Sequence, residues 1–241
     1  TEIEERPELF KLLAARPHSL SISAHLHRQD HRFLGEEAGF SADNPHHHLV
    51  HGTVCGSWWS GAPDENGIPN ATMSDGAPNG YSIVTFDGPK YDVEFHAARR
   101  PADHQMNIHA PEEVAAADAP AADVVVNVFA GSGRSKVELR LGEAGEWRPR
   151  EKVSAADPFY LAMKELEAGP TPPPGRKLPA PAKSTHLWKA KLAADSPAPG
   201  THLIHVRTTD MFGRTYEDRR AVRVAEGSPA ATSAPAPAAG N

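Results

Sequence analysis

The stretch "SISAHLHRQDHRFLG", Ser21–Gly35, decides how this chain is read. It is entered from "ERPELFKLLAAR", Glu5–Arg16, where Leu9, Leu12 and Leu13 share one helical face and Pro7 suits a first turn. Pro17 ends that helix, and "SLSIS", Ser19–Ser23, alternates polar and apolar residues as a half-buried strand does. A helix feeding a strand is one step of an α/β sheet. The strand runs into "AHLH", which sets His25 and His27 two residues apart. If the backbone stays extended, both imidazoles point to one face. That arrangement presents one nitrogen to each of two metal ions about 3.5–4 Å apart, and a neutral imidazole suits Zn, Mn or Fe. The competing reading is an exposed loop with two solvated histidines.

Downstream the signals turn to β. Gly35–Pro45 reads as a loop and "HLVHGTV", His48–Val54, as a strand. A long Gly-, Pro-, Asn- and Asp-rich loop follows. "YSIVTF" and "YDVEFHA" are strands joined by Asp87-Gly88-Pro89, a strong hairpin signal. "APEEVAAADAPAAD", Ala110–Asp123, is Ala/Pro-rich and acidic and reads as a linker. Beyond it, "VVVNVFAGSGRSKVELRL" gives two strands around a Gly-Ser-Gly turn. "DPFYLAMKELEAG" gives a helix with Asp157 as N-cap, Pro158 at its first position and Gly169 as its stop. "HLWKAKL", "THLIHVRT" and "AVRVA" are further strands. Short strands at regular spacing with turn signals predict a β-sandwich of immunoglobulin-like type. Residues 226–241, rich in Ala, Pro and Ser, read as a disordered tail.

The expected organisation is thus α+β and mostly β. Residues 1–109 form a portion of an α/β sandwich, 110–123 a linker, and 124–225 the second β-sandwich. At 241 residues the chain has room for one large or two small domains. A net charge of −6 gives no basis for nucleic-acid binding. No apolar run approaches the roughly 20 residues of a membrane-spanning helix. Cys55 is the single cysteine, so no intrachain disulfide forms. The chain opens at Thr1 directly in a helical pattern, with no signal peptide, which leads us to expect an upstream part.

Fourteen histidines are the main compositional bias, seven of them between His25 and His51. His46, His47, His48 and His51 form either an auxiliary metal or phosphate-facing cluster, or loop and strand-edge structure. Structure is favoured, because no carboxylate or Cys stands at a ligand-like spacing. His31 either reaches substrate from the loop after "AHLH" or is solvated. Trp58 and Trp59 either stack on a bound ring or pack on the neighbouring sheet. Asn79 and Tyr81, with Asp75, either line the same mouth or belong to the ordinary turn chemistry of "DGAPNG".

The ordered set of motifs resembles the calcineurin-like metallophosphoesterases. "AHLH" is similar to that family's last metal motif, a Gly-His-x-His at a strand end, with Ala24 in place of the glycine. "HGTVCGSWWSG" looks like the strand that re-enters the sheet, and "SDGAPNGYSIVTFDGPKYDVEF" like the closing hairpin. "HVRTTDMFGRTYEDRRAVRV" resembles the end of a β-sandwich that follows the catalytic domain in one branch. The likeness runs from about Glu5 to Val224. It implies hydrolysis of phosphomonoesters or phosphodiesters by two divalent ions (Mn, Fe or Zn), each held in part by His25 or His27. It also implies a phosphate ester as substrate, toward which the residue reading above would set His31, Trp58, Trp59, Asn79 and Tyr81, and a periplasmic or secreted location. The family's other ligands, an Asp-x-His, a Gly-Asp pair, a Gly-Asn-His segment and a further His, have no counterpart before Ser19. The expectation is therefore a C-terminal portion, inactive alone. The alternative is a non-catalytic module that binds glycan or cell-envelope material through Trp58 and Trp59 or through the β-sandwich.

Overall fold

The structure is a computed structural model that describes residues 5–226. The expected tail, from residue 227 on, lies outside the described residues. The chain begins with helix α1, Arg6–Ala14, which carries a proline in its first turn and sets Phe10 edge-on to Phe40 at 5.5 Å. Strands β1 (Leu20–Ser23), β2 (Asp30–Leu34) and β3 (His46–Val50) make one small sheet in the order β1-β3-β2. β1 runs parallel to β3, with Ile22 opposite Leu49, and β2 runs antiparallel to β3, with His31 opposite Leu49. The third strand starts two residues earlier than its sequence pattern implied. It stops at Val50, where the last rungs to Ser23 and Asp30 are made.

β2 departs from the sequence expectation that placed His31 in a loop. "DHRFL" carries little β signal, yet Asp30 and His31 are both buried. Their burial is possible because each polar side chain finds a partner: Asp30 accepts from Thr185 Oγ1 at 2.8 Å, and His31 Nδ1 lies 2.9 Å from His47 Nε2.

After the long loop, β4 (Gly80–Asp87) and β5 (Lys90–Ala97) pair residue for residue from Gly80↔Ala97 to Asp87↔Lys90. Gly88 closes this hairpin at φ 56°, a left-handed conformation that glycine adopts without a Cβ penalty. The inner face of the hairpin brings Phe95 against Met73, Ala77 and Phe129.

The remainder comprises β6 (Met106–His109), β7 (Glu113–Ala115), β8 (Asp123–Val128), β9 (Lys136–Leu141), β10 (Arg148–Pro149), β11 (Glu151–Ala156), α2 (Pro158–Ala168), β12 (Lys183–Lys191), β13 (Gly200–Thr209) and β14 (Thr215–Ala225). They form a four-stranded sheet, β11-β12-β8-β6, and a five-stranded sheet, β10-β9-β13-β14-β7. The two strands around the Gly-Ser-Gly turn, β8 and β9, therefore lie in different sheets. One apolar core unites the two sheets. Met106, Val124, Val126 and Trp188 from the first meet Val137, Leu139, Ile204, Val206, Val222 and Val224 from the second. α2 is capped as its sequence implies: the Asp157 side chain accepts from Tyr160 N, and Pro158 opens the first turn.

Residues 110–123 do not behave as the linker their composition suggested. They carry β7, parallel to β14 with Val114 opposite Val224, and they bury Val114, Ala115 and Ala119. Small alanines let this segment lie close against the core, so a composition that reads as low-complexity here serves packing. The molecule is mostly β, with α1 and α2 as its α-helices among the described residues.

Candidate functional site

β1 delivers the chain to a turn over Ala24–His27, closed by His27 N donating to Ala24 O at 3.2 Å. The backbone does not stay extended, so the premise that His25 and His27 share a face as strand neighbours fails. His25 is exposed, and His27 takes a left-handed φ of 49°.

A second turn completes the site. It is built from Thr53 to Trp59. His27 Nδ1 lies 2.5 Å from Gly56 O and 3.2 Å from Thr53 Oγ1, while that hydroxyl itself donates to Gly56 O at 3.1 Å. A carbonyl only accepts, so Nδ1 carries the proton of the neutral ring and Nε2 keeps its lone pair. The imidazole also stacks on Trp58, with centroids 3.9 Å apart and planes at 19°.

The second turn is conformationally unusual. Trp58 and Trp59 both have left-handed φ, 54° and 56°. Such backbone costs roughly 1–2 kcal/mol per non-glycine residue and persists only where the surroundings over-determine it. Here they do. Gly56 is pressed so close to Ala71 that a Cβ would lie 1.7 Å from its carbonyl oxygen. Ser57 N donates to Ala71 O at 3.1 Å, and the buried Asn79 donates from Nδ2 to Val54 O at 2.7 Å. Asn79 thus braces the turn from beneath, and its burial removes it from any substrate surface. Trp59 is 48% exposed, with the Arg99 guanidinium 5.8 Å from its ring. Tyr81 sits on the outer face of the hairpin, half exposed and stacked on His96.

Behind the two turns lies a buried polar network. Asp75 Oδ2 accepts from Gln29 N at 2.6 Å, and the Gln29 side chain accepts from Gly52 N at 2.9 Å. Asp75 so pins the end of the histidine turn to the start of the tryptophan loop. The same carboxylate oxygen lies 3.0 Å from His186 Nε2, and His186 Nδ1 lies 2.7 Å from Asn127 Oδ1. Asn127 Nδ2 donates to Asp75 O and to Asp157 Oδ2. Burial pushes the Asp157 carboxyl up, but bonds from His109, Asn127 and the Tyr160 amide outweigh it and hold the group below the usual carboxylate range.

The other histidines of the 25–51 stretch are engaged by protein partners. Ser19, Ser21 and Ser23 line up along β1 beside His46 and His48 of β3. The contacts run Ser19 to His46 Nδ1, His46 Nε2 to Ser21, Ser21 to His48 Nδ1 and His48 Nε2 to Ser23, over 2.7–3.3 Å. His47 bonds to Tyr91 and His31, and His51 to Gly52 O and Ser82. Burial, then the His47 charge, pushes His31 down to about 3; burial, then Arg134, pushes His47 down to about 4. These rings are neutral structural members, and His31 does not reach outward as the loop reading required. Among the described residues no group of three or more His, Cys, Asp or Glu side chains gathers as a metal site.

The family model described as the C terminal of calcineurin-like phosphoesterase matches residues 48–216. The chain belongs to that family. The match begins downstream of the histidine turn and takes in the tryptophan turn, the hairpin and the two large sheets apart from most of β14. No curated protein matches the chain. Among solved structures it is similar to that titled "The crystal structure of CopC from Methylosinus trichosporium OB3b", at 11% identity and a TM-score of 0.26, over 62% of this chain and 99% of that one. No helix among the described residues is long and apolar enough to cross a membrane.

Proposed function

We propose that this chain is the C-terminal part of a binuclear-metal phosphoesterase that hydrolyses phosphomonoesters or phosphodiesters. In this reading the two larger sheets form an immunoglobulin-like sandwich that braces the catalytic portion. The observation that carries the reading is the contact of His27 Nδ1 with Gly56 O, because metal-ligating histidines typically anchor one ring nitrogen on a carbonyl or carboxylate and ligate through the other. Exposed His25, two residues earlier, and membership of the phosphoesterase family support it.

The donor set fits metal ions in part. His25 and His27 supply two imidazoles, and among the described residues no carboxylates join them to complete such a centre. Two divalent ions of the Mn, Fe or Zn kind, when bound, supply Lewis acidity toward phosphoryl oxygens and ease deprotonation of a water. The chain's own part is narrower. His27 offers Nε2 from a fixed turn, Trp59 and Tyr81 offer half-exposed rings toward an ester's organic group, and Asp75 ties the turn to the sheets behind it. A periplasmic or extracellular setting follows from the family resemblance.

The glycan-binding alternative is weakened by the Trp58 stack, since one indole face is already covered by His27. The reading is tested by turnover of p-nitrophenyl phosphate by this chain with added Mn or Zn. No hydrolysis above background is expected. Robust hydrolysis that His25→Ala abolishes would contradict the assignment of the chain as an incomplete catalyst.

A further inference from the structure

A single hydrogen bond from Nδ1 fixes the tautomer of a histidine but not the plane of its ring. The imidazole can still swing about the N–H direction and sweep Nε2 through an arc. In His27 that freedom is removed by one contact, the Trp58 indole stacked at 3.9 Å and 19°. The carbonyl that receives Nδ1 and the indole that flattens the ring come from residues two apart in the same turn.

The turn is strained to bring this about. Trp58 adopts φ 54° although it is neither glycine nor asparagine, and it leaves its indole 48% exposed. An indole that served the core would be more deeply covered. An indole that served only as a ligand platform would not need its inner face against a histidine. The strain is held by contacts unrelated to the indole itself: the Gly56–Ala71 approach, the Ser57 amide and the Asn79 side chain.

We propose that Trp58 is a positioning residue for His27: it fixes the imidazole plane, while Gly56 O fixes the tautomer, so that Nε2 is aimed from the end of β1 before any ligand arrives. This replaces the substrate-stacking role that its exposure alone suggested. The inference rests on the reading of His27 as a metal donor only for its purpose; the orientation of the ring is testable without metal.

The test uses this chain, labelled with ¹⁵N, in three forms: unsubstituted, Trp58→Phe and Trp58→Gly. The glycine variant relieves the left-handed φ while removing the ring, so loss of fold does not confound it. Two-bond ¹H–¹⁵N spectra at alkaline pH report the tautomer of His27, and its ring protons report the indole's ring-current shift. The unsubstituted chain is expected to hold the Nδ1–H form with strongly shifted ring protons. Trp58→Phe should retain most of both. Trp58→Gly should keep the Nδ1–H form that Gly56 O sets but lose the single ring orientation, read as averaged nuclear Overhauser contacts from the His27 ring protons to Thr53, with the hairpin resonances unmoved. One fixed set of His27 ring-proton contacts that survives in Trp58→Gly overturns the inference. Zn²⁺ alone serves as the second probe: its affinity should fall about tenfold in Trp58→Gly. If Zn²⁺ fails to bind the unsubstituted chain, the metal reading falls, and the His27 ring-proton contacts still decide whether Trp58 orients His27.

Discussion

The imidazole of His186 and the carboxylate of Asp75 stand 3.0 Å apart, with side-chain exposures of 0% and 1%. Both ring nitrogens of His186 face oxygens, Asp75 Oδ2 and Asn127 Oδ1. The Asn127 amide orientation is set by its own two donations, which turns Oδ1 toward the His186 ring. Through Asp75 this network reaches Gln29 N, two residues past His27. The large sheets therefore grip the small one at the base of the candidate site.

Removing one partner from such a pair strands the other in a dry interior. His186→Phe should lower unfolding free energy by about 3 kcal/mol, and Asp75→Asn by a similar amount. Chemical denaturation measures this. A loss within about 0.5 kcal/mol for either variant, the range of ordinary surface substitutions, would show that the network does not hold the sheets together.

Acid should loosen the small sheet. His31 and His47 have folded values pushed down to about 3 and about 4, chiefly by burial. Their unfolded value is about 6.5. Above that pH both states are neutral and the pair adds nothing. Below it the unfolded chain binds more protons than the native one, so stability falls as pH drops from about 6.5 toward 4. The midpoint temperature, followed across that window, should decline, and His31→Phe should flatten part of the slope. A midpoint that is level from pH 6.5 to 4 would contradict the buried, neutral assignment.

Val114 separates a structural segment from a linker. It is 7% exposed and lies in the core shared by the two large sheets. Val114→Ala should cost about 2 kcal/mol in a denaturant titration. A change of a few tenths would return residues 110–123 to the status their composition suggested.

What the sequence made legible was local. The Asp87-Gly88-Pro89 turn, the Asp157–Pro158 helix start and the long pairing of β13 with β14 each depend on residues close in the chain. What it hid was set at a distance. β2 survives its polar sequence because Thr185, 155 residues away, accepts the burden of Asp30, and His186 lies 111 residues from Asp75. β7 is three residues long and is made a strand by the far end of the chain. At the site, "AHLH" showed which two histidines stand together, but not that His27 leaves the strand for a left-handed turn. Nor did "SWWS" show that Trp58 would face a histidine. A pair of consecutive tryptophans with φ near 55° follows from the Gly56–Ala71 contact, which no local pattern records.

The central claim is that His25 and His27, and not the histidine cluster of β3, form the metal-facing part of this chain. Titrating the ¹⁵N-labelled chain with Zn²⁺ and following every histidine ring nitrogen tests it most directly. The account predicts that Nε2 of His27 and the ring of His25 respond together, while His46, His47, His48 and His51 keep their hydrogen-bonded signatures. Zn²⁺ shifts confined to that cluster, or a His27 Nε2 that never responds, would contradict it.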